Sequence, residues 1–211
     1  MRIVIADDHP VVIYGLRAAL GGHAGTYEVV GDAADGPGLL GLLRETQCDL
    51  VITDFSMSTT PGVKDGLPLM RQLHAQHASV AVLVLTMMNN LALVRGMLSA
   101  GVRGVVDKAA ISTELFLAIK AIQDGRIYLS ESIKEQMREQ SIKTNDDRAL
   151  STREAEVVRL IAQGGSISEI ARQTHRSMST ISQQKRDAMR KLGIVNDKQL
   201  HEYARLSGLL Y

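Results

Sequence analysis

An α/β fold, with a doubly wound parallel sheet followed by a smaller all-α domain, is what this sequence of 211 residues predicts. Three observations carry that expectation. Short aliphatic runs recur between amphipathic stretches: residues 3–6, 50–53, 80–85 and 104–106. Such runs, rich in Val, Ile and Leu, are the signature of strands buried on both faces. Each run stops at a polar group: Asp7-Asp8, Asp54, Thr86 and, two residues past the last run, Lys108. After Leu150 the pattern is helical only.

Taken in order, the first strand leads into a helix over Val11 to Leu20, with Val11, Val12, Leu16 and Leu20 at helical spacing. Tyr27 to Gly31 reads as a second strand, and Gly38 to Arg44 as a second helix that its glycines weaken. The strand ending at Asp54 is followed by a helix over Leu67 to His74. The strand ending at Thr86 is followed by one over Leu91 to Ser99, closed by Gly101. The Val105-Val106 strand precedes a helix from Ser112, expected as its N-cap, to Gln123. Five such units make a (βα)5 doubly wound sheet over residues 1–124.

Residues 125–148 break this rhythm. Ser130 to Gln140 suits a short exposed helix, and the polar stretch 141–148 reads as a linker. Residues 149–211 predict a four-helix domain. Ser151 and Glu154 form a capping box before Val157, Val158, Leu160 and Ile161. Ser166 or Ser168 opens a second helix, a turn falls at His175-Arg176, and Ser177 or Ser179 opens a longer one that ends at Gly193. A last helix spans Asp197 to Leu206. Two helices joined by a tight turn, the second basic, are a helix-turn-helix.

Composition narrows the function. Aromatics are 3% with no Trp, which argues against a base-stacking platform for single strands. No apolar stretch nears the roughly 20 residues that span a bilayer, and the charged start is not expected to be a signal peptide. The lone Cys48 suits a reducing cytoplasm and is read as core filler. The net charge of +1 hides an asymmetry. Residues 1–124 carry 9 Lys/Arg against 12 Asp/Glu, and residues 149–211 carry 10 against 6. An acidic first part and a basic last part point to different partners, the second a polyanion.

Groups just past the C-terminal ends of parallel strands converge on one crevice. Asp7, Asp8 and Asp54 supply the hard oxygen ligands that Mg²⁺ takes, one or two carboxylates with a substrate phosphate completing the shell. With its charge offset, one carboxylate can attack phosphorus and form an aspartyl phosphate. Lys108 would neutralise phosphate charge, and Thr86 would hydrogen-bond a phosphoryl oxygen. The same carboxylates also suit a Mg²⁺-dependent phosphohydrolase, although a basic helical domain has no use there. A third reading is an interaction protein with a vestigial acidic site.

In the basic helix Ser179 to Leu192, an apolar stripe of Ile181, Ala188, Met189 and Leu192 faces inward. Ser182, Gln183 and Arg186 share the opposite face. Gln pairs bidentately with adenine and Arg with guanine, whereas Thr180, Lys185 and Arg190 suit phosphates. The last helix is either a dimer face or a brace for the helix-turn-helix.

With Asp7-Asp8, Asp54, Thr86 and Lys108 at its five marker positions, residues 1–124 resemble a bacterial response-regulator receiver domain. The resemblance implies that Asp54 accepts phosphate from a histidine of a kinase or histidine phosphotransfer protein. It also implies that Asp8 binds Mg²⁺ directly, Asp7 through water, and the Ser56 carbonyl as a further ligand. Residues 149–210 resemble the LuxR-type (NarL/FixJ) DNA-binding domain through Leu150-Ser151-x-Arg153-Glu154, Ser168-Glu169-Ile170-Ala171 and Lys191-Leu192-Gly193. A response regulator of this family is expected to be a cytoplasmic transcription factor rather than an enzyme. The resemblance further implies double-stranded DNA bound by a homodimer, contact with RNA polymerase and pairing with an auxiliary regulator; no membrane is implied. Four departures from the receiver pattern stand out. Ala109 and Ser58 replace common prolines, and Val105 replaces the switch aromatic. Met87 and Met88 are bulky where the first residue is usually small, and are expected to crowd the crevice and either slow loss of phosphate from Asp54 or make small donors phosphorylate it poorly.

Overall fold

The computed structural model of the chain describes residues 1–23, 25–57, 65–87, 90–143 and 149–210. These form two compact units, residues 1–89 with 97–135 and residues 90–96 with 136–211.

The first unit holds a parallel sheet of β1 (Arg2–Ala6), β2 (Glu28–Ala33), β3 (Leu50–Asp54), β4 (Ala81–Thr86), β5 (Gly104–Asp107) and β6 (Tyr128–Leu129), in the order 2-1-3-4-5-6. The reversal at β1 creates the topological switch point of a doubly wound sheet, beside which such folds bind ligands. Helices α1 (Pro10–Gly21), α2 (Gly36–Glu45), α3 (Gly66–Gln76), α4 (Leu91–Ser99) and α5 (Ile111–Gln123) follow the first five strands. Because successive strand residues face opposite sides, Ile3, Ile5, Leu50, Ile52, Leu83, Leu85 and Val106 pack with Leu16 and Leu20 of α1 and with Leu115, Ala118 and Ile119 of α5. The alternate set Val4, Val51, Val84 and Val105 is fully buried on the other face.

Two expectations change here. The sheet gains β6, which lies parallel to the outer edge of β5: Tyr128 N donates to Arg103 O at 3.0 Å and Ser130 N to Val105 O at 3.0 Å. Ser112 does not cap α5. A 3₁₀ turn (Lys108–Ala110) intervenes, capped by Asp107, whose side chain accepts from Ala109 N at 2.9 Å, and α5 runs on from Ile111. The N-cap position of α5 falls on Ala110, which makes no side-chain cap bond, and Ser112 lies inside the helix.

After β6, Ser130 is fully buried. Its hydroxyl donates to Glu114 Oε2 at 2.5 Å and accepts from Asp107 N at 2.9 Å, before α6 (Glu131–Lys143) begins. The polar stretch expected as a linker falls mostly on 144–148, outside the described residues.

In the second unit, α7 (Thr152–Ala162) packs on α9 (Met178–Leu192) and α10 (Asp197–Ser207), and α8 (Ile167–Gln173) packs on α9. Two capping boxes set the starts of the short helices. Ser151 and Glu154 exchange backbone bonds at 2.7 and 3.3 Å, and Ser166 and Glu169 at 2.9 and 3.3 Å. Of the alternative caps, Ser166 and Ser177 are the ones used. The turn between α8 and α9 passes through His175 at φ 53°, and α9 ends at Gly193 with φ 67°. The buried Leu200 and Ala204 of α10 belong to the same core as Val157, Ile181 and Leu192, so α10 braces the helix-turn-helix.

Candidate functional site: a phosphoryl crevice and a basic helix

Strand register decides which side chains meet. Ala6 pairs with Thr53, Asp54 with Leu85, and Thr86 with Asp107. Asp7 therefore stands level with Asp54, Thr86 sits one step further out, and Lys108 one step beyond Thr86. The Lys108 ammonium bridges the pair, 2.8 Å from Asp7 Oδ2 and 3.0 Å from Asp54 Oδ2. Asp7 is 1% exposed, Asp54 6% and Thr86 2%. Asp54 Oδ1 accepts from Phe55 N at 2.7 Å, which fixes the carboxylate at the strand end.

Burial pushes the Asp54 carboxyl above the ordinary aspartate value, with Lys108 opposing it. Burial also disfavours the Lys108 ammonium, but hydrogen bonds and charge from Asp7 and Asp54 outweigh that and raise its pKa. The result is a desolvated carboxylate against a firmly charged cation.

Asp7, Asp8, His9 and Asp54 each offer a ligand atom within 4.8 Å of the others. Hard carboxylate oxygens gathered this closely, with Asp8 partly open to solvent, fit the donor set of Mg²⁺. Ser56 is half-buried in the stretch leaving β3. His9 was missed by sequence reasoning. Its backbone N donates to Asp7 Oδ1 at 2.9 Å, and its Nδ1 lies 2.7 Å from Asp8 Oδ1. The only sequence signal for it is adjacency to the Asp pair.

The second site is α9. Ser177 caps it, accepting from Thr180 N at 3.1 Å, and Ile181, Ala188 and Leu192 are buried. Met189 of the expected stripe is half-buried. Thr180, Gln183, Arg186 and Arg190 are exposed, while Ser182 and Lys185 are half-buried. Lys185 is engaged within the unit, 2.7 Å from Asp197 at the start of α10. The outer face also carries an acid that sequence reasoning passed over, Asp187, bonded to Gln183 and Arg190.

Family models match both parts of the chain. The response regulator receiver domain covers residues 3–120, and the bacterial regulatory proteins of the luxR family cover residues 148–204. The chain belongs to the LuxR-type response regulators. The transcriptional regulatory protein RcsB of Escherichia coli strain K12 is 38% identical over 205 residues, 96% of this chain and 93% of that one. The oxygen regulatory protein NreC of Staphylococcus aureus strain JH9 is 32% identical over 219 residues, covering 100% and 99%. Among solved structures, RcsB from Salmonella enterica serovar Typhimurium, bound to promoter P1flhDC in the presence of phosphomimetic BeF3⁻, superposes with a TM-score of 0.86. It is 36% identical and covers 98% of both chains.

One expectation about this regulator is corrected. Met87 does not crowd the crevice: it is 72% exposed, because it lies past the last residue of β4, where burial on both faces ends. Met88 and Ser58 fall outside the described residues. Val105 is fully buried in the sheet, and no cis peptide occurs among the described residues, Lys108–Ala109 included. Cys48 is half-buried with its thiol pushed up to about 11, chiefly by burial and then by Asp49, so it is a poor nucleophile.

Proposed function

We propose that this regulator is a transcription factor whose DNA binding is switched by phosphorylation of Asp54. The observation that carries the reading is the Lys108 ammonium bridging buried Asp7 and Asp54 at strand ends, in a chain that also holds a capped basic helix-turn-helix. Residues 1–124 are the receiver, 125–148 the linker and 149–211 the DNA-binding domain.

An Asp54 carboxylate oxygen attacks the phosphorus of a phosphohistidine on a partner kinase or phosphotransfer protein. The P–N bond breaks, the P–O bond forms, and the imidazole leaves with a proton. Asp7, Asp8 and Asp54, with the Ser56 carbonyl, would hold Mg²⁺, which supplies charge neutralisation to the phosphoryl oxygens. Lys108 would stabilise the same developing charge, and the Thr86 hydroxyl would orient a phosphoryl oxygen. Desolvation keeps the Asp54 carboxylate free of a water shell before attack.

In the other domain, Ser182, Gln183 and Arg186 meet base edges and Thr180 and Lys185 meet phosphates, while Arg190, expected at a phosphate, is paired with Asp187 at 3.1 Å. The RcsB structures described as two dimers bound to two parallel DNAs support binding by a pair of copies on duplex DNA. RNA polymerase and, at some promoters, an auxiliary regulator are the further partners. A cytoplasmic location follows from the reaction, since phosphohistidine donors and the chromosome meet there. Gel-shift titration of the full chain on genomic fragments at stated salt, with and without a phosphoryl donor and with Asp54→Asn, tests the reading. Donor-dependent tightening that Asp54→Asn abolishes supports it, and indifference of both proteins to the donor refutes it.

A further inference from the structure

On the exposed face of α9, three side-chain interactions run end to end. Arg186 Nη2 donates to Gln183 Oε1 at 2.7 Å, Gln183 Nε2 donates to Asp187 Oδ2 at 3.1 Å, and Arg190 Nη2 pairs with Asp187 Oδ1 at 3.1 Å. The spacings, three and four residues apart, are those at which helical side chains meet. An acid here needs a reason, because Arg186 and Arg190 on the same face suit a polyanion and a carboxylate opposes one.

We propose that Asp187 is a specificity-determining positioning residue: it locks the Gln183 amide in one orientation for reading adenine, and it withholds Arg190 from indiscriminate phosphate contact. The inference rests on α9 being the DNA-reading helix. A terminal amide torsion is broad and two-fold, so a lone exposed Gln offers donor and acceptor in either order. Asp187 removes that freedom. A carboxylate only accepts and a guanidinium only donates, so a flipped amide would set oxygen against the acid and NH₂ against the cation. In the held orientation, one N–H and one oxygen lone pair of Gln183 remain for a base, matching adenine N7 and N6–H. The Asp187 carboxyl is held below the usual range, first by Gln183 and then by Arg190, so the lock keeps its charge at neutral pH.

The test starts with the full chain, with and without a phosphoryl donor, selecting a consensus from a pool of random duplexes, and the form that binds is used throughout. Affinities for that consensus, its single-pair variants and a scrambled duplex are then measured across salt for wild type, Asp187→Asn and Gln183→Ala. The lock predicts that Asp187→Asn tightens binding to the scrambled duplex several-fold and steepens the log–log salt slope by about one, as Arg190 is released. It also predicts loss of about ten-fold discrimination at one A·T pair, the same pair at which Gln183→Ala loses it. If Asp187→Asn changes consensus and scrambled binding by the same factor, or the two substitutions affect different pairs, the inference fails alone. If the wild type enriches no duplex, the DNA reading of α9 fails and takes this inference with it.

Discussion

Replacing Lys108 with Met keeps the aliphatic stem and removes the charge that two buried carboxylates share. At 2.8 and 3.0 Å, each pair contributes about 5–6 kcal/mol of attraction at an effective dielectric of about 20, before desolvation is subtracted. Removing one partner of a buried ion pair has a net cost of about 3–5 kcal/mol, because the remaining charge is left uncompensated. Asp7 and Asp54 face that situation together and repel each other as well. A loss of this size lowers the melting temperature of a domain this large by on the order of 10 °C. Calorimetry of the full chain at pH 7, following the receiver transition, measures it. Adding Asp54→Asn to Lys108→Met removes one of the stranded charges and is expected to recover a large part of the loss. A Lys108→Met protein that melts with wild type, or a double variant no more stable than Lys108→Met, would show that the cluster is too well hydrated for this reasoning.

Three further outcomes follow from the same geometry. Asp54→Asn alone is expected to stabilise the receiver at pH 7. The folded pKa of Asp54 is raised by burial, so its protonated form favours folding below the unfolded value and that benefit is lost as pH rises through the folded value. Denaturant titrations should show the advantage of Asn shrinking as pH falls from 7 toward 4, and a constant advantage would contradict the assignment. Glu154→Ala removes one half of a capping box and the 2.9 Å partner of Lys191, and should destabilise the DNA-binding domain by about 2 kcal/mol. Burial opposes the Glu154 charge, but Lys191 and Ser151 hold its pKa below normal. The difference between Glu154 and Ala in thermal melts should therefore persist above the unfolded carboxyl pKa and fade as pH drops through the folded one. Gly101→Ala and Gly125→Ala both place a β-carbon at positive φ, 92° and 73°, but only at Gly101 would it collide with the His74 imidazole. Gly101→Ala should be more destabilising by at least about 1 kcal/mol in urea unfolding; equal losses would mean that His74 yields freely.

Much of this architecture is legible in the sequence because buried parallel strands leave continuous aliphatic runs. Where Leu50 to Thr53 ends, the polar residue that follows has nowhere to go but the crevice. That logic brings Asp7, Asp54 and Lys108 together, and Ser-x-x-Glu spacing separately marks the Ser151–Glu154 capping box, whereas the Ser166–Glu169 box is settled only by the structure. It gave out where the signal was too short or belonged to tertiary contacts. Tyr128-Leu129 is two residues long, has no periodicity, and becomes a strand only because the β5 edge offers hydrogen-bond partners. Ser112 has good cap chemistry, but a 3₁₀ turn capped by Asp107 leads the chain straight into α5 from Ile111, which leaves Ser112 inside the helix. Met87 sits one residue past β4, and the pattern that buries a strand says nothing of its direction there. Asp187 draws no notice in the sequence, since spacing alone does not reveal that its partner is the amide of Gln183.

The two-residue β6 matters to anyone who cuts the gene to study the receiver by itself. A fragment stopping at residue 124 strips the acceptors' partners from Arg103 O and Val105 O and takes the Ser130 hydroxyl from Asp107 N. What remains is a bare rim of unsatisfied peptide groups, a template on which a second molecule can add its own strand. Oligomers seen with such a fragment would then report the truncation rather than the biology, and a fragment carried through residue 135 would keep that rim covered.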